Sequence, residues 1–325
     1  MKVFVTGGTG FVGSHVVAAL GRRGHEVACL VRSPAKAGRV FGERAQPGLV
    51  AGDLGDAGAL ARGCDGAEAV VHLAGLTAAR TRAELFAVNA DGTRTLAEAA
   101  RAAGAGVRRF VHVSSLAAAG PARAGVAAST GEEAQPVSDY GRSKLAGEEP
   151  VRGLPLAWTI LRPPAVYGPR DAELLRVFRA ARRGIVPLVG DGAQRLSVVF
   201  AADLANAIVR CLEVAPAPGV YYPAHAERTT ARALAEGIAA AVGVAARIVP
   251  IPRSVVRPLF WLNERAARLA GRATLLSSDK AREILAPAWT CSPASLEAAT
   301  GWRAATPLAE GLRQTAEWYR AAGWL

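Results

Sequence analysis

Thr-Gly-Gly-Thr-Gly-Phe-Val-Gly, residues 6–13, is the stretch that decides the fold. It directly follows a short apolar run and opens the helical segment Val12–Arg22, which gives the order strand, glycine-rich loop, helix. In such a loop Gly7 permits a tight turn, Gly10 lets the backbone approach a pyrophosphate, and Gly13 lets the helix pack close to the strand. The helix start offers unpaired N–H groups and a partial positive charge to the phosphates. The stretch therefore predicts a dinucleotide-binding loop.

The first half of the chain alternates β-rich apolar runs with helical segments, which predicts an α/β fold with a Rossmann-type doubly wound parallel sheet. The predicted strands are Val3–Thr6, Glu26–Val31, Leu49–Ala51, Ala69–Leu73, Arg109–Val113 and Trp158–Leu161. The predicted helices between them are Val12–Arg22, Arg82–Ala103 and Tyr140–Val151. Residues 1–168 are therefore interpreted as the dinucleotide-binding domain, to which residues 196–214 return.

After residue 168 the pattern loosens, and residues 169–195 and 215–325 are predicted to form a smaller, mainly C-terminal α+β lobe that binds substrate. The predicted elements of this half are the helix Leu174–Arg183, the strand-to-helix unit Leu196–Leu212, the run Gly219–Pro223, the helix Ala231–Val242 and the strand Arg247–Pro250. The segment Arg253–Ala270 places leucines and aromatic residues among arginines. We interpret it as a lid helix over an apolar pocket, and a helix lying on a membrane surface is the alternative.

The composition is that of an ordinary globular protein: 325 residues, 51% hydrophobic and 20% charged. No apolar run approaches the roughly 20 residues needed to cross a bilayer. The chain opens on a strand rather than on the charged and apolar regions of a secretory signal, so a cytoplasmic protein is expected. The four cysteines lie far apart without a CxxC pair, which predicts buried free thiols and no metal site.

The formal charge of +12 raises the question of nucleic acid as a partner. The basic residues are scattered singly or in pairs, and no helix-turn-helix, zinc finger or RNA-binding strand accompanies them, so no nucleic-acid partner is expected. Only Lys2, Lys36, Lys144 and Lys280 are lysine among the 39 basic residues, which is typical of a GC-rich coding bias. A modest attraction for anionic ligands, including a phosphorylated cofactor, follows from the charge.

The end of the second predicted strand distinguishes the two nicotinamide cofactors. An NAD site usually places an acidic side chain there, where it accepts hydrogen bonds from the ribose 2′-hydroxyl. Here the strand ends at Val31 and Arg32 follows, while Glu26 lies at the strand's start and points to the wrong end. Arg32 would pair with a 2′-phosphate, although an ordinary surface arginine is the alternative. NADP(H) is therefore favoured, and NAD(H) remains possible.

Tyr140 and Lys144 begin a predicted helix and lie one turn apart on the same face. A tyrosine with a pKa of about 10 exchanges protons poorly at neutral pH, and an ammonium one turn away would lower that pKa. Lysine at this position is informative because the chain uses arginine almost everywhere else. Ser114 and Ser115 follow the strand Arg109–Val113, at the end where parallel sheets bind ligands. Ser115 is the better candidate to hold a substrate oxygen, and Ser114 is the second.

Together these residues resemble the extended short-chain dehydrogenase/reductase superfamily, over most of the chain. Further matches are the acidic turn Gly52–Leu54, the fourth-strand motif His72–Gly75, the helix pair Val88 and Asn89, the segment Leu161–Pro169 and the later motif Ala202–Ala205. The cofactor-binding residues that the resemblance implies are Gly7, Thr9, Gly10, Phe11, Val12, Gly13, Arg32, Asp53, Leu54, Leu73, Ala74, Gly75, Tyr140, Lys144, Pro163 and Val166.

The resemblance also implies a catalytic set. Tyr140 would be the general acid in carbonyl reduction and the base in the reverse direction, while Ser115 would polarise the carbonyl. Lys144 would bind the cofactor ribose and lower the pKa of the tyrosine. Asn89 would order its helix and a proton-relay water. The helix Arg82–Ala103 and the helix that begins at the catalytic tyrosine form a dimer interface in many relatives, so a homodimer is expected.

Three functions remain open at this point. The first is NADP-dependent reduction of a ketone or aldehyde, or the reverse alcohol oxidation, on a largely apolar small molecule, as in dihydroflavonol reductases and 3β-hydroxysteroid dehydrogenases. The second is a nucleotide-sugar epimerase or dehydratase with tightly bound NAD; Ala165 disfavours it, because such enzymes commonly carry asparagine there. The third is a non-catalytic dinucleotide-binding subunit or sensor, which would not need Tyr140. His72 and His112 lie in apolar strands and are expected to be core residues.

Overall fold

A computed structural model describes residues 1–42, 46–122 and 127–325. Its strands are β1 (Lys2–Thr6), β2 (Glu26–Val31), β3 (Gly48–Ala51), β4 (Ala69–His72), β5 (Arg109–Val113), β6 (Ala157–Leu161), β7 (Ala165–Tyr167), β8 (Ile185–Val189), β9 (Arg195–Leu196), β10 (Val198–Phe200), β11 (Gly219–Tyr221), β12 (Thr229–Thr230), β13 (Arg247–Ile251) and β14 (Ala288–Trp289). Its helices are α1 (Phe11–Arg22), α2 (Pro34–Phe41), α3 (Ala57–Cys64), α4 (Arg82–Phe86), α5 (Gly92–Ala102), α6 (Leu116–Ala119), α7 (Asp139–Arg152), α8 (Leu175–Arg182), α9 (Ala201–Val214), α10 (Ala231–Val242), α11 (Arg253–Leu269), α12 (Ser278–Ile284), α13 (Ala294–Thr300) and α14 (Leu308–Ala321).

The main sheet is parallel, and over the described residues its strand order is β11-β6-β5-β4-β1-β2-β3. The chain runs outward from β1 in one direction through β2 and β3, and in the other through β4, β5 and β6. The strand order therefore reverses beside β1, and open α/β sheets bind ligands outside the carboxyl ends of the strands at such a point. This confirms the predicted Rossmann-type fold class.

Helices cover both faces of the main sheet, as its alternating side chains require. In β1, Val3 and Val5 point into a cluster formed with α1 and α9, whereas Phe4 between them points into a second cluster formed with α3, α5 and α7. Leu204 of α9 is fully buried in the first cluster, so this helix packs against the nucleotide-binding half, as the sequence predicts for residues 196–214.

The predicted domain boundary needs one correction. Gly219–Tyr221, assigned from the sequence to the substrate lobe, pairs with β6 as the outermost strand of the main sheet. Leu296 of α13 and the nearby Trp302 also belong to the core cluster around α1 and α9. Two short pieces of residues 215–325 thus belong to the nucleotide-binding half: β11 through its pairing with β6, and Leu296 with Trp302 through their contacts in that core cluster.

The smaller lobe contains short sheets and the helices α8, α10, α11, α12 and α14. β8 pairs with β13 in parallel, and β9 lies between β12 and β14. The helices α8, α10 and α14 share a core in which Phe178, Ile238 and Tyr319 are buried. The helix predicted from the sequence over Ala231–Val242 coincides with α10.

The continuous helix predicted over Arg82–Ala103 is interrupted. Ala87–Asp91 forms a π-helical turn between α4 and α5. Its cause is the close approach of α7: a Cβ on Gly147 would lie 2.2 Å from the carbonyl oxygen of Asn89. Single π-helical turns of this kind occur mostly at functional sites, because they move one side chain out of helical register.

The buried histidines lie in the core of the nucleotide-binding half. His72 bonds to the hydroxyls of Thr6 (2.6 Å) and Thr93 (2.8 Å), and burial lowers its pKa to about 3, so the ring is neutral. His112 stacks on it with a centroid separation of 5.1 Å. These contacts agree with the core role expected from the sequence.

All four cysteines are free and buried, and they lie in different parts of the molecule. Burial raises the thiol pKa of Cys29, Cys64, Cys211 and Cys291 to about 12. Cys29 lies beneath the glycine-rich loop, where a Cβ added to Gly8 would come within 2.9 Å of its sulfur. In the part of the chain that the structure describes, no cluster of His, Cys, Asp or Glu side chains could hold a metal ion, and no helix is long and apolar enough to cross a membrane.

Candidate active site

A cleft of about 700 Å³ opens at the carboxyl ends of β1, β4 and β5, between the main sheet and the lobe. Its volume is typical of small-molecule sites. The sequence-predicted site residues that line it are Gly7, Thr9, Gly10, Phe11, Val12, Gly13, Leu73, Gly75, Ser115, Tyr140, Lys144, Pro163 and Val166. The fold thus brings the glycine-rich loop and the predicted catalytic group to one cavity.

A larger open depression, of about 1240 Å³, lies elsewhere, between α1, α2 and the start of β2. It is bordered by His25, Glu26 and Val27, which are at the amino end of the sheet. Since parallel sheets bind ligands at the opposite, carboxyl end, and since none of the predicted catalytic residues borders this depression, it is not the site.

The glycine-rich loop forms a cradle for an anionic group. Gly7 has a φ of +74°, and a Cβ there would lie 2.5 Å from the backbone nitrogen of Ala74. Gly10 caps α1 without a side chain, so the first amides of that helix face the cleft. A Cβ on Gly13 would lie 2.1 Å from the carbonyl oxygen of Gly7, so a glycine at this position lets α1 lie close to the residues that directly follow β1. Unpaired amides at a helix start fit a pyrophosphate.

The remaining predicted cofactor residues lie near this cradle without bordering the cleft. The backbone N–H of Ala74 donates to the hydroxyl of Thr6 at 3.4 Å. Asp53 follows β3, and its Oδ1 accepts from the backbone N–H of Gly55 at 2.8 Å. Leu54 is buried against α5. Arg32 is exposed and directly follows β2.

Lys36, which the sequence reasoning did not select, lines the cleft from the first turn of α2. The hydroxyl of Ser33 caps that helix by accepting from the Lys36 backbone N–H, and the first turn carries no acidic residue. Together with Arg32 this lysine makes the region after β2 basic. The signal was present in the sequence, because lysine is rare in this chain and Lys36, Lys144 and Lys280 all line the cleft.

Tyr140 and Lys144 project from the first turns of α7 into the cleft, as their spacing predicts. The Nζ of Lys144 donates to the carbonyl of Val113 at 2.9 Å, which leaves two of its three donors for other partners. A Cβ on Gly75 would lie 3.6 Å from that Nζ. The ammonium is therefore held between the end of β5 and the segment after β4.

The two serines after β5 face different partners. The hydroxyl of Ser115 accepts from the backbone N–H of Ala117 at 3.1 Å, and Ser115 lines the cleft beside Tyr140. Ser114 is buried, and its hydroxyl donates to Glu148 at 2.7 Å. Ser115 is therefore the serine beside the tyrosine, whereas Ser114 bonds to the buried carboxylate of Glu148.

The pKa of Tyr140 departs from the sequence-based expectation. Protein surrounds its hydroxyl, and this loss of water raises the pKa to about 12, although the Ser115 hydroxyl acts in the opposite direction. Burial lowers the pKa of Lys144 to about 8, and the Glu148 carboxylate opposes that decrease. The pKa of Tyr140 is thus raised and not lowered as expected from the sequence, because burial dominates and the carboxylates of Glu283 and Glu173 act in the same direction. The phenol is protonated at neutral pH.

Asn89 does not border the cleft, but its side chain connects two segments that form the cleft. The side chain is fully buried in the π-helical turn; its Nδ2 donates to the carbonyl of Leu76 and to the hydroxyl of Ser143, both at 2.9 Å. Its Oδ1 accepts from the backbone N–H of Leu76 at 2.8 Å. The amide therefore joins the loop after β4 to α7 at the turn between Tyr140 and Lys144.

A buried ion pair anchors α7 to the sheet. Glu148 is fully buried and accepts from the Nε and Nη2 of Arg162, at 2.8 and 2.7 Å. It also accepts from Arg152 at 2.9 Å. Arg162, 4% exposed, reaches the hydroxyl of Tyr222 at 3.1 Å as well. The sequence reasoning treated Arg162 only as part of a stiff segment, because its partner lies on another element.

The lobe contributes an ion pair to the cleft, and the sequence did not indicate it. Glu283 of α12 accepts from the Nζ of Lys280 and from the hydroxyl of Ser138, both at 2.5 Å, and both Lys280 and Glu283 line the cleft. Asp279 accepts from the backbone N–H of Asp139. The start of α12 is thus tied to the start of α7, directly before Tyr140.

The predicted lid has a different position. No residue of α11 is among the described residues that line the cleft, and the wall is formed instead by Leu275, in the connection after α11, and by α12. Val256 and Phe260 of α11 pack on Ala281 of α12. The helix lies behind the wall of the cleft and does not cover it.

Comparisons with known proteins agree with this geometry. The NAD dependent epimerase/dehydratase family matches residues 3–222. Ceramide reductase of Caulobacter vibrioides is 37% identical over 325 residues, 99% of this chain and 96% of that protein. The 4-hydroxy-2-methyl-3-oxo-4-farnesyl-3,4-dihydroquinoline-1-oxide ketoreductase of Stigmatella aurantiaca is 30% identical, over 88% of this chain and 91% of that protein.

Among solved structures, the UDP-glucose 4-epimerase of Thermus thermophilus in complex with NAD superposes with a TM-score of 0.79, at 27% identity, over 99% of this chain and 100% of that one. The family match covers more than half of the chain, and the relatives span nearly its whole length. The chain therefore belongs to the NAD-dependent epimerase/dehydratase family within the extended short-chain dehydrogenases/reductases, and it is an NAD(P)-dependent oxidoreductase.

Proposed function

We propose that the protein uses NADPH to reduce a ketone or aldehyde on a largely apolar small molecule, or carries out the reverse alcohol oxidation. The observation that carries this proposal is the cleft itself. Ser115, Tyr140 and Lys144 converge on one wall. Much of the remaining lining is apolar. The apolar residues there include Leu76, Leu116, Pro164, Leu196, Leu275, Ile284 and Trp289.

Each member of the catalytic group has a role that follows from its surroundings. Bound NADPH would supply the hydride to the carbonyl carbon. The Tyr140 hydroxyl would donate the proton that the carbonyl oxygen needs, and Ser115 would hold that oxygen by a hydrogen bond. Lys144, with donors left over, would hold the cofactor ribose. The raised pKa of Tyr140 favours reduction, because a protonated phenol is the form that can donate.

The two relatives support the substrate class. One is named a ceramide reductase and the other a ketoreductase of a farnesyl-bearing quinoline, so each name joins reductive chemistry to a molecule with a long hydrocarbon part. A hydrocarbon-rich ketone suits the apolar lining on energetic grounds, at roughly 25 cal/mol for each Å² of apolar surface removed from water. We therefore assign a lipid-like ketone as the substrate class.

The preference for NADPH rests on the region after β2. Arg32 and Lys36 are exposed basic residues there, and no acidic residue lies in the first turn of α2 to accept hydrogen bonds from a ribose 2′-hydroxyl. A 2′-phosphate would pair with both cations and approach the start of α2. Asp53, Leu54, Leu73 and the glycine-rich loop would contact the rest of the cofactor.

Nucleotide-sugar epimerisation is the activity named for the superposed structure, and Ala165 speaks against it here. In β7 that position offers a methyl group to the cleft, where such enzymes commonly present an amide to the sugar nucleotide. An epimerase of this type would also be isolated with NAD that does not exchange, which gives a simple way to separate the two functions.

The assay follows NADPH oxidation with long-chain ketones in detergent micelles, with short water-soluble ketones for comparison. We expect turnover that rises with chain length. Tyr140→Phe should lower kcat by about 10³-fold with unchanged NADPH binding, since only the proton donor is lost. Tyr221→Phe is the matched control, because that hydroxyl bonds to the carbonyl of Ala217 outside the cleft. Full activity of Tyr140→Phe would exclude the proposed mechanism.

Cofactor choice is tested by titrating the protein with NADPH and NADH while following tryptophan fluorescence. We expect NADPH to bind about tenfold or more tightly, a difference of about 1.4 kcal/mol. Arg32→Gln and Lys36→Gln should each remove much of that preference without affecting NADH. Arg39→Gln, in the last turn of α2 and so away from the basic start of that helix, should leave it intact. Equal affinity for both cofactors in the wild type, or copurified NAD, would contradict the assignment.

A further inference from the structure

Most of the large apolar side chains that are exposed in the described residues lie in one segment of the chain. Six of the ten large apolar side chains that are exposed in the described part of the chain lie between residues 255 and 276. They are Val255, Leu259, Trp261, Leu262, Leu269 and Leu276, and the exposed fractions of Leu259, Leu262 and Leu269 are 51%, 58% and 91%. A contiguous exposed apolar area of this kind marks an interaction surface.

The exposed residues form a stripe along α11. Val255, Leu259, Leu262, Ala266 and Leu269 follow one another at spacings of four and three, so they share one side of the helix, which we call the outer face of α11. The side that packs on α12 carries different residues, Val256 and Phe260. The helix therefore has two apolar sides. One packs on α12, and the other is exposed.

Arginines occupy the rest of the helix surface. Arg253, Arg257, Arg265, Arg268 and Arg272 lie in or directly after α11. Glu264 is the single acidic residue between positions 253 and 272, and it pairs with Arg268 at 3.0 Å. The guanidinium of Arg265 lies over the exposed ring of Trp261, 5.1 Å from its centroid. The segment 253–272 therefore combines an apolar stripe with a net charge of +4 and an exposed tryptophan beside an arginine.

We propose that the outer face of α11 docks on an anionic lipid bilayer. Leucines would enter the boundary between headgroups and acyl chains, and arginines would bind the acidic headgroups, as in helices that lie in the plane of a membrane. Charge decides between this occupant and a second copy of the chain. Two copies joined through this face would bring ten arginines together, whereas an anionic surface neutralises them.

The outer face of α11 lies near the cleft wall, so docking would bring the cleft close to the membrane. Leu276 is exposed and its carbonyl accepts from Asn263 of α11 at 2.9 Å, while the adjacent Leu275 lines the cleft. A bilayer on this face would therefore lie beside the cleft wall, where a lipid-like ketone could pass into the site without crossing water. This delivery role rests on the proposed function, whereas docking itself does not.

The experiment measures cosedimentation of the full chain with phosphatidylcholine vesicles and with mixed phosphatidylglycerol–phosphatidylcholine vesicles. We expect binding to the anionic vesicles, weakening as ionic strength rises, and little binding to the neutral ones. The double variant Leu259→Gln/Leu262→Gln should bind about tenfold or more weakly, because two half-exposed leucines no longer enter the apolar layer. The control Leu49→Gln changes an exposed leucine on β3 and should bind like wild type.

A second pair of variants tests the charge without touching an apolar side chain. Arg257→Gln/Arg265→Gln should weaken binding to anionic vesicles about tenfold or more, whereas Arg62→Gln/Arg101→Gln, on exposed helix positions of the nucleotide-binding half, should have little effect. Wild-type levels of binding in both the leucine and the arginine double variants of α11 would overturn the proposal. So would light scattering that shows a dimer which the leucine variant converts to a monomer, since the face would then be covered by a second copy. NADPH titration of every variant reports separately on the proposed function.

Discussion

Replacing Glu148 by glutamine should destabilise the protein by about 3–5 kcal/mol, because it leaves the guanidinium of Arg162 buried without its counter-charge. The carboxylate is fully buried and holds Arg162 through two bonds of 2.7 and 2.8 Å. It also accepts from Ser114 and from Arg152. Arg152 is 43% exposed and can turn to water, so the cost falls mainly on the buried partner.

The size of the effect follows from the burial of both partners. For a chain of this length, 1 kcal/mol corresponds to roughly 2 °C in Tm, so Glu148→Gln should melt about 6–10 °C below wild type. Arg162→Met should cost a similar amount, because it leaves the carboxylate unpaired. The double variant Glu148→Gln/Arg162→Met removes both charges, and its destabilisation should be smaller than the sum of the two single costs by at least about 2 kcal/mol.

Thermal and urea unfolding followed by circular dichroism measure these differences for the four proteins of the cycle. The matched control is Glu149→Gln, one residue along α7 but exposed, which should change stability by less than about 0.5 kcal/mol. If Glu148→Gln melted within a degree of wild type, or if the two single costs were simply additive, the carboxylate and the guanidinium would not be coupled as their geometry requires.

Three further predictions concern the site. Ser115→Ala should lower kcat about 100-fold by removing a donor to the carbonyl oxygen, whereas Ser114→Ala should change kcat less than about fivefold and cost about 1–3 kcal/mol in stability; the reverse order would exchange the roles of the two serines. Since burial lowers the pKa of Lys144 to about 8, its ammonium is complete below that pH and is lost above it, so kcat/KM for reduction should fall with rising pH from near 8; a flat profile to about pH 10 would contradict this. Gly147→Ala should destabilise the protein by about 1–3 kcal/mol by forcing α7 away from the π-helical turn, whereas Gly153→Ala, where a Cβ meets no atom closer than 3.8 Å, should be well tolerated in denaturant unfolding.

Local patterns of sequence predicted the features that depend on neighbouring residues. The glycine-rich loop after β1 and the spacing of Tyr140 and Lys144 are set within a few positions, so the fold class and the catalytic wall follow from the order of the amino acids. The same holds for α10, whose period and Gly243 end are local. The rare lysines carried a further signal, which would have identified Lys36 and Lys280.

Features that depend on distant contacts were not predictable in this way. The π-helical turn exists because Gly147 lets α7 approach Asn89, a contact that no pattern within Arg82–Ala103 reveals. β11 has only three residues between proline-containing segments, so its membership of the main sheet depends on pairing with β6. The pKa of Tyr140 follows from how much protein surrounds the phenol, and sequence spacing shows only the lysine beside it.

The reactivity of the four buried thiols measures local opening of the structure. Because each thiol is protonated and shielded, a thiol reagent can label it only during a transient opening of the region around it. Cys29 lies under the glycine-rich loop, Cys64 on the opposite face of the sheet, Cys211 in α9, and Cys291 beside Tyr222 beneath the cleft. Labelling rates resolved by mass spectrometry would therefore report four separate breathing motions without an added probe, and a ligand held by the glycine-rich loop would protect Cys29 first.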